Sequence, residues 1–281
     1  MDGVTVKAFF FALMLTVLAG LSTGIGAVLA FFSHTSNYLF LSIGMGFSAG
    51  VMVYISFVEI LVKAQHSFSQ MYGDVLGEGL GLITFFTGFA LAFVIDRIIP
   101  DDVNPHELKS KKQLNELQEE NQKIPVDKNS LKRTGIFTAI AIAIHNFPEG
   151  FATFITALDG LTLGIPIAIA IAIHNIPEGM AVSLPIYHAT GDRKKAFYYA
   201  LGSGIVEPLG ALIGFFFLLP IMGELTLGIT FGMVAGIMVY ISFDELLPAA
   251  RIYGNSHTTI LGIALGIAVM AFSLLLFKAV L

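Results

Sequence analysis

The chain has 281 residues, 56% of them hydrophobic and only 12% charged, with a net charge of −5. An ordinary soluble domain is about 25% charged, so this composition argues against one and for a polytopic membrane protein. The absence of cysteine excludes disulfides, thiolate metal sites and cysteine nucleophiles, and no basic cluster invites nucleic acid.

A bilayer core about 30 Å thick needs about 20 apolar residues per helix. The first qualifying segment, 4–32, is too long for the apolar core of a cleaved signal, and MDGVTVK before it lacks a basic start, so it reads as span 1. Spans 2 and 3 follow at 38–63 and 75–99. The one long polar stretch, 100–133, then reads as a charged linker. Spans 4 to 8 follow at 134–157, 162–187, 195–219, 224–248 and 257–280. The expected organisation is therefore helices 1–3 in 1–99, a cytoplasmic linker in 100–133, helices 4–5 in 134–187 and helices 6–8 in 188–281.

Basic residues favour the cytoplasmic side of a membrane. Twelve of them (eight from Arg97 to Arg133, then Arg193, Lys194, Lys195 and Arg251) fall on one side of an eight-span chain; Lys7, Lys63 and Lys278 fall on the other. The expected orientation places both termini outside and the linker in the cytoplasm.

Two segments repeat. GFSAGVMVYISFVEIL in span 2 (46–61) matches GMVAGIMVYISFDELL in span 7 (232–247), with Gly50/Gly236, Tyr54/Tyr240, Ser56/Ser242 and Glu59/Glu245 in register. His-Asn-x-Pro-Glu-Gly occurs in span 4 as His145–Gly150 and in span 5 as His174–Gly179. Partners in each pair cross the membrane in opposite directions, as in an inverted-topology repeat, whose substrate sites sit near the midplane on helices interrupted by Gly or Pro.

In span 4, His145 and Glu149 lie on one helical face, and Asn146 neighbours Glu149. Pro148 cannot donate to the carbonyl of Ile144 and is expected to bend the helix beside His145. Span 5 repeats each element with His174, Asn175, Pro177 and Glu178. Carboxylates in hydrocarbon are costly and usually functional. Imidazole plus carboxylate suits zinc, iron, manganese or cobalt better than calcium or magnesium, and scattered methionines give little support to a Cu(I) path. Glu207 in span 6, followed by a Pro208 expected to break that helix, is the third intramembrane acid assigned to the site. With three carboxylates, charge alone permits one ion or two. Glu59 and Glu245, near span ends on opposite faces, suit entry and exit or simply interfacial water; His34, His66, His188 and His257 read as ordinary polar residues, with His66 and His34 placed to assist metal entry or exit as the alternative.

On these residues the chain resembles the ZIP family of metal-ion transporters. The paired motifs carry the likeness, together with ISFVEIL in span 2, GIMVYISFDELLP in span 7, ATFITALDG after span 4 and the linker after span 3. The resemblance implies import of divalent metals into the cytoplasm, zinc above all and also iron, manganese, cobalt or cadmium, by a multi-pass protein of the cell (inner) membrane, with the metal as cargo and no cofactor. It implies an all-α fold of eight helices arranged 3+2+3, often dimeric in its lipid bilayer, moving in an elevator-like manner. It further implies a binuclear site, with one ion on His145, Glu149, His174 and Glu178 and a second on Asn146, Glu149, Asn175, Glu178 and Glu207. Relatives often have a His-rich linker; this one has only His106.

Two rivals differ in class. An intramembrane metalloprotease would want His-Glu-x-x-His, which is absent, so no enzyme is expected. A passive cation channel would build rings of carboxylates or carbonyls across subunits, whereas this cluster is written into one chain.

Overall fold

The computed structural model describes residues 5–32, 34–98, 128–159, 161–218 and 223–280. Eight long helices make up nearly all of them: α1 (Val6–Ala30), α2 (Tyr38–Tyr72), α3 (Asp74–Ile98), α4 (Lys128–Asp159), α5 (Leu161–Thr190), α6 (Arg193–Ile213), α7 (Glu224–Tyr253) and α8 (Ser256–Val280). Seven are long and apolar enough to cross a membrane. The exception is α4, whose apolar stretch is confined between Lys132 and Arg133 at one end and the polar His145–Glu149 motif at the other. Large apolar side chains, such as Phe86 on α3 and Phe272 on α8, are exposed at 63% and 61%. Bare hydrocarbon of this kind is stable against lipid, so this is an all-helical integral membrane protein.

The chain turns sharply where glycine permits it. Gly73 (φ 82°) separates α2 from α3 and Gly191 (φ 71°) separates α5 from α6, in the left-handed region that side chains avoid. Asn37 and Asp192 cap α2 and α6 by accepting from the backbone N–H of Phe40 and Lys195, at 3.1 and 3.0 Å.

The helices sort into two bundles. In one, α1 packs on α5 and α6, and α4 packs on α5 and α6. In the other, α2 packs on α8 and α3, and α7 packs on α3 and α2. The bundles meet chiefly where α2 lies on α5 and α4 on α7. Small residues set the close approaches: α1 buries Ala12, Ala19, Gly20, Gly24, Gly26, Ala27 and Ala30. Without a hydrophobic drive between helices in lipid, such surfaces are what let backbones touch.

The repeated sequence folds into repeated local structure. In α2 and α7 alike a single wide π-turn interrupts the helix, at Ser56–Ile60 and Ser242–Leu246. Each begins at a serine whose Oγ donates back to a carbonyl one turn earlier, Ser56 to Met52 (2.6 Å) and Ser242 to Met238 (2.8 Å). Gly50 lies against the carbonyl of Ile263 on α8, as Gly236 lies against that of Phe85 on α3.

Three outcomes differ from the sequence reading. Pro208 does not break its helix: α6 runs through it, as α4 runs through Pro148 and α5 through Pro166, Pro177 and Pro185. A proline removes one backbone bond and crowds one carbonyl, but packed neighbours on both sides hold the flanking turns. Helix α2 continues past the apolar segment to Tyr72, carrying His66 and Gln70. Helix α4 starts at Lys128, and Arg133 is buried. Residues 99–127, most of the segment read as the linker and including His106, lie outside the described residues.

Candidate metal centre

All seven candidate residues fall in the α1/α4/α5/α6 bundle: His145, Asn146 and Glu149 on α4, His174, Asn175 and Glu178 on α5, and Glu207 on α6. The two motif helices exchange partners. His145 Nε2 lies 3.0 Å from Glu178 Oε1, and His174 Nε2 lies 2.9 Å from Glu149 Oε1. Only the second pair also meets the angular requirements of a hydrogen bond. The structure thus couples the copies crosswise, each histidine to the other helix's glutamate.

The asparagines act on the outer helices. Asn146 Nδ2 donates to the carbonyl of Ser203 on α6 and Asn175 Nδ2 to that of Ala19 on α1, each at 3.0 Å. Asn175 Nδ2 also donates to Glu207 Oε2 at 2.8 Å. With the amide nitrogen committed to an acceptor, each Asn Oδ1 is left as the lone-pair donor. Neither Oδ1 has a hydrogen-bond partner.

Close packing brings α6 and α1 to the motif. A Cβ on Gly150 would overlap the carbonyl oxygen of Glu207; a Cβ on Gly179 would overlap that of Thr23. Gly20 on α1 and Gly204 on α6 face one another. The two outer helices therefore approach in one register: Ala19 matches Ser203 and Thr23 matches Glu207. The register exposes a difference between the walls, a carboxylate on α6 opposite a hydroxyl on α1.

The centre is dry but reachable. Asn146, Asn175 and Glu207 are fully buried and Glu178 is 1% exposed. The side chain of Glu149 is 18% exposed. It lines a cavity of about 380 Å³ with His145, His174 and Pro148, and the same cavity touches Glu59 and Lys63 on α2. A second cavity, sharing Glu59 and Lys63, adds His66 and Gln70 and leads away from the centre. The sequence reading gave His66 as an ordinary polar residue or an aid to metal entry or exit; it lines this second cavity, bonded to Gln70 at 2.8 Å.

Seven buried atoms of the seven residues have neither a hydrogen-bond nor an ion-pair partner: Nδ1 of His145 and of His174, Oδ1 of both asparagines, Oε2 of Glu149, Oε2 of Glu178 and Oε1 of Glu207. Buried polar atoms are nearly always partnered. Lone pairs concentrated in this way suit a cation. No three of the motif His and Glu side chains and Glu207 bring one ligand atom each within 4.8 Å of one another. The groups stand as His–Glu pairs rather than around one point.

A different cluster, missed in the sequence, meets that closer criterion: Asp96 on α3 with Asp244 and Glu245 in the π-turn of α7. Arg133 of α4 lies among them. Its Nη1 is 3.1 Å from Glu245 Oε1 and its Nη2 donates to Asp96 Oδ1. The Tyr240 hydroxyl donates to Asp96 at 3.3 Å and to Asp244 at 3.0 Å. Asp96 inside the apolar run LAFVIDRII was the available signal.

Comparison with known proteins covers almost the whole chain. A family model described as "ZIP Zinc transporter" matches residues 100–274. The chain is 56% identical to "Zinc transporter ZupT" of Campylobacter jejuni, over 96% of this chain and 97% of that protein. It is 53% identical to proteins of the same description from Clostridium perfringens (95% of each chain) and Streptococcus mutans (95% of this chain, 98% of the other).

Proposed function

This chain belongs to the ZIP family of zinc transporters, and from that premise we propose that it imports divalent metal ions, zinc foremost, through the crosswise His–Glu centre by alternating access. The observation that carries the reading is the concentration of unpartnered polar atoms at the foot of a cavity that reaches Glu149, His145 and His174. The relatives' names favour zinc; imidazole and carboxylate also accept iron, manganese, cobalt and cadmium.

The substrate ion meets Glu149 first, since that carboxylate faces the cavity. His145, His174 and Glu178 complete one coordination shell when the two pairs draw together. Asn146, Asn175 and Glu207, with oxygens of Glu149 and Glu178, form a second set deeper in the bundle. In each His–Glu pair, the arriving ion takes over the carboxylate from the imidazole. Two ions against three carboxylates reverse the local charge, so the occupancy of the deeper set governs how tightly the first is held.

The packing supports a 3+2+3 inverted repeat. Exchange α1 with α6, α2 with α7, α3 with α8 and α4 with α5, and the principal pairings return: α1–α5 becomes α6–α4, α2–α8 becomes α7–α3, and α2–α5 becomes α7–α4. Because every candidate ligand rides on one bundle, sliding that bundle along the other would carry the whole centre across the membrane. In the orientation favoured by the basic residues, the cavity opens outside and the Arg133 cluster lies at the cytoplasmic face of the cell (inner) membrane. A negative interior then assists entry by roughly 2.3 kcal/mol per charge per 100 mV.

Two expected results follow from the site. Asn175→Ala removes an oxygen ligand and the donor that holds Glu207. It lowers affinity for the second zinc by about tenfold, while a first zinc bound alone is held as before, and calorimetry on the purified protein resolves the two. Loss of both ions together would refute the division into two sets. In proteoliposomes, zinc uptake saturates and stays far below about a million ions per second; a non-saturating flux would favour a channel lined by such ligands.

A further inference from the structure

The Arg133 cluster is the strongest feature that the transport site does not use. Arg133 sits on the bundle that carries the candidate ligands, whereas Asp96 and Glu245 sit on the other bundle. All three are buried: the side chains of Arg133, Asp96 and Glu245 are 5%, 7% and 0% exposed. We propose that Arg133 is a gating residue, a charged latch between the bundles that holds the face opposite the cavity shut and thereby biases the protein toward the cavity-open state. The proposal deepens the alternating-access reading and rests on it.

Three observations carry it. First, the latch seals a packed column. Arg133, Phe137, Ala141 and His145 follow one another at four-residue intervals along one stripe of α4, and Phe137 and Ala141 are each 4% exposed. The path from the centre to the latched face is therefore filled, while the path to the cavity is open. Second, the latch must break for the bundles to slide, because its two halves belong to different bodies. Third, the repeat does not reproduce it. The repeat of spans 2 and 7 matches Glu245 to Glu59 and the two motif copies match Arg133 to Thr162, while the like approaches of Gly50 to Ile263 and of Gly236 to Phe85 match Asp96 to Leu274. At the cavity face Glu59 instead pairs with Lys63 on its own helix, at 2.9 Å, where it ties nothing across the gap. Among the described residues, a charged tie between the bundles is thus present on one face and not on the other.

The ion pair is also positioned rather than incidental. The Tyr240 hydroxyl steadies Asp96 and Asp244, and the wide turn Ser242–Leu246 places Glu245 toward α4. Breaking one partner of such a buried pair leaves an uncompensated charge, so the tie is firm while intact and its loss is felt.

The chain has no cysteine, which makes single-cysteine accessibility a clean test. Thr156→Cys, lining the cavity, and Ala141→Cys, in the filled column, are each labelled in detergent with a small charged thiol reagent. In the parent, Cys at 156 reacts and Cys at 141 is protected. Adding Arg133→Met speeds labelling at 141 and slows it at 156, each by about tenfold as the population shifts; Arg133→Lys lies between. Should Arg133→Met fail to fold, the triple Arg133→Met, Asp96→Asn, Glu245→Gln, which removes the arginine together with both carboxylates it contacts, gives the same shift. Unchanged labelling in whichever of these variants folds overturns the latch. A lowered melting temperature with unchanged labelling also overturns it, since that is the mark of a purely structural ion pair. The labelling reads which face is open whether or not zinc moves, so a failure of uptake would tell against the transport reading alone.

Discussion

Glu149→Gln or Glu178→Gln abolishes zinc uptake in proteoliposomes, by ~100-fold or more, a loss at the upper end of what even indirect supports of a metal ligand cost. The substitutions keep the volume and the helix and remove one negative charge each. Glu149 is paired with His174 and Glu178 lies against His145, so either change removes a ligand of the proposed site and leaves an imidazole without its anionic neighbour. Both carboxylates also belong to the deeper set, which is why neither copy of the motif can stand in for the other. The two variants should fail to similar extents, although Glu149 faces the cavity and Glu178 is almost wholly buried. Uptake within a few-fold of the parent in either variant, with the protein folded and monodisperse, would dismiss the site assignment.

The second large effect is steric. Gly150→Ala and Gly179→Ala each place a methyl into a backbone carbonyl of the neighbouring helix, Glu207 on α6 or Thr23 on α1. Backbone cannot rotate away as a side chain can, so the helices must part. Overpacking of this kind costs typically 1–3 kcal/mol and occasionally more, and a lower thermal unfolding midpoint would record it. Uptake should fall further than the midpoint suggests for Gly150→Ala, because parting α4 from α6 withdraws Glu207 from the centre. Gly202→Ala is the control: nothing lies within 4 Å of its added Cβ, and both readouts should stay at parental values. Equal behaviour of Gly150→Ala and Gly202→Ala would show that the close approach is not required.

Much of this was legible in the sequence, for identifiable reasons. Long apolar runs bounded by charges mark membrane helices, and the helices fall close to the expected segments. The duplicated motif stood out because carboxylate and imidazole are costly in lipid. The rest needed three dimensions. Pro208 was read as a break because its local chemistry forbids one backbone bond, yet packing on both sides keeps α6 continuous. Arg133 was counted among the linker charges because charge next to a polar segment ordinarily means water. Its partners are distant in sequence, and only folding shows that they neutralise it. The crosswise pairing of His145 with Glu178 and His174 with Glu149 was likewise out of reach, since spacing along one helix favours pairing within it.

One difference between the outer walls bears on how such a protein behaves in the two directions. Glu207 on α6 has Thr23 as its counterpart on α1, so in the proposed site the substrate rests beside an anion on one flank and an uncharged group on the other. The resting place is off the axis that relates the halves of the fold. An ion arriving from one face and an ion arriving from the other therefore meet unequal half-sites, and the concentrations at which inward and outward fluxes saturate should differ. The gradient and the membrane potential still fix where net flux stops. The off-axis acid governs only how the kinetics are divided between import and export on the way there.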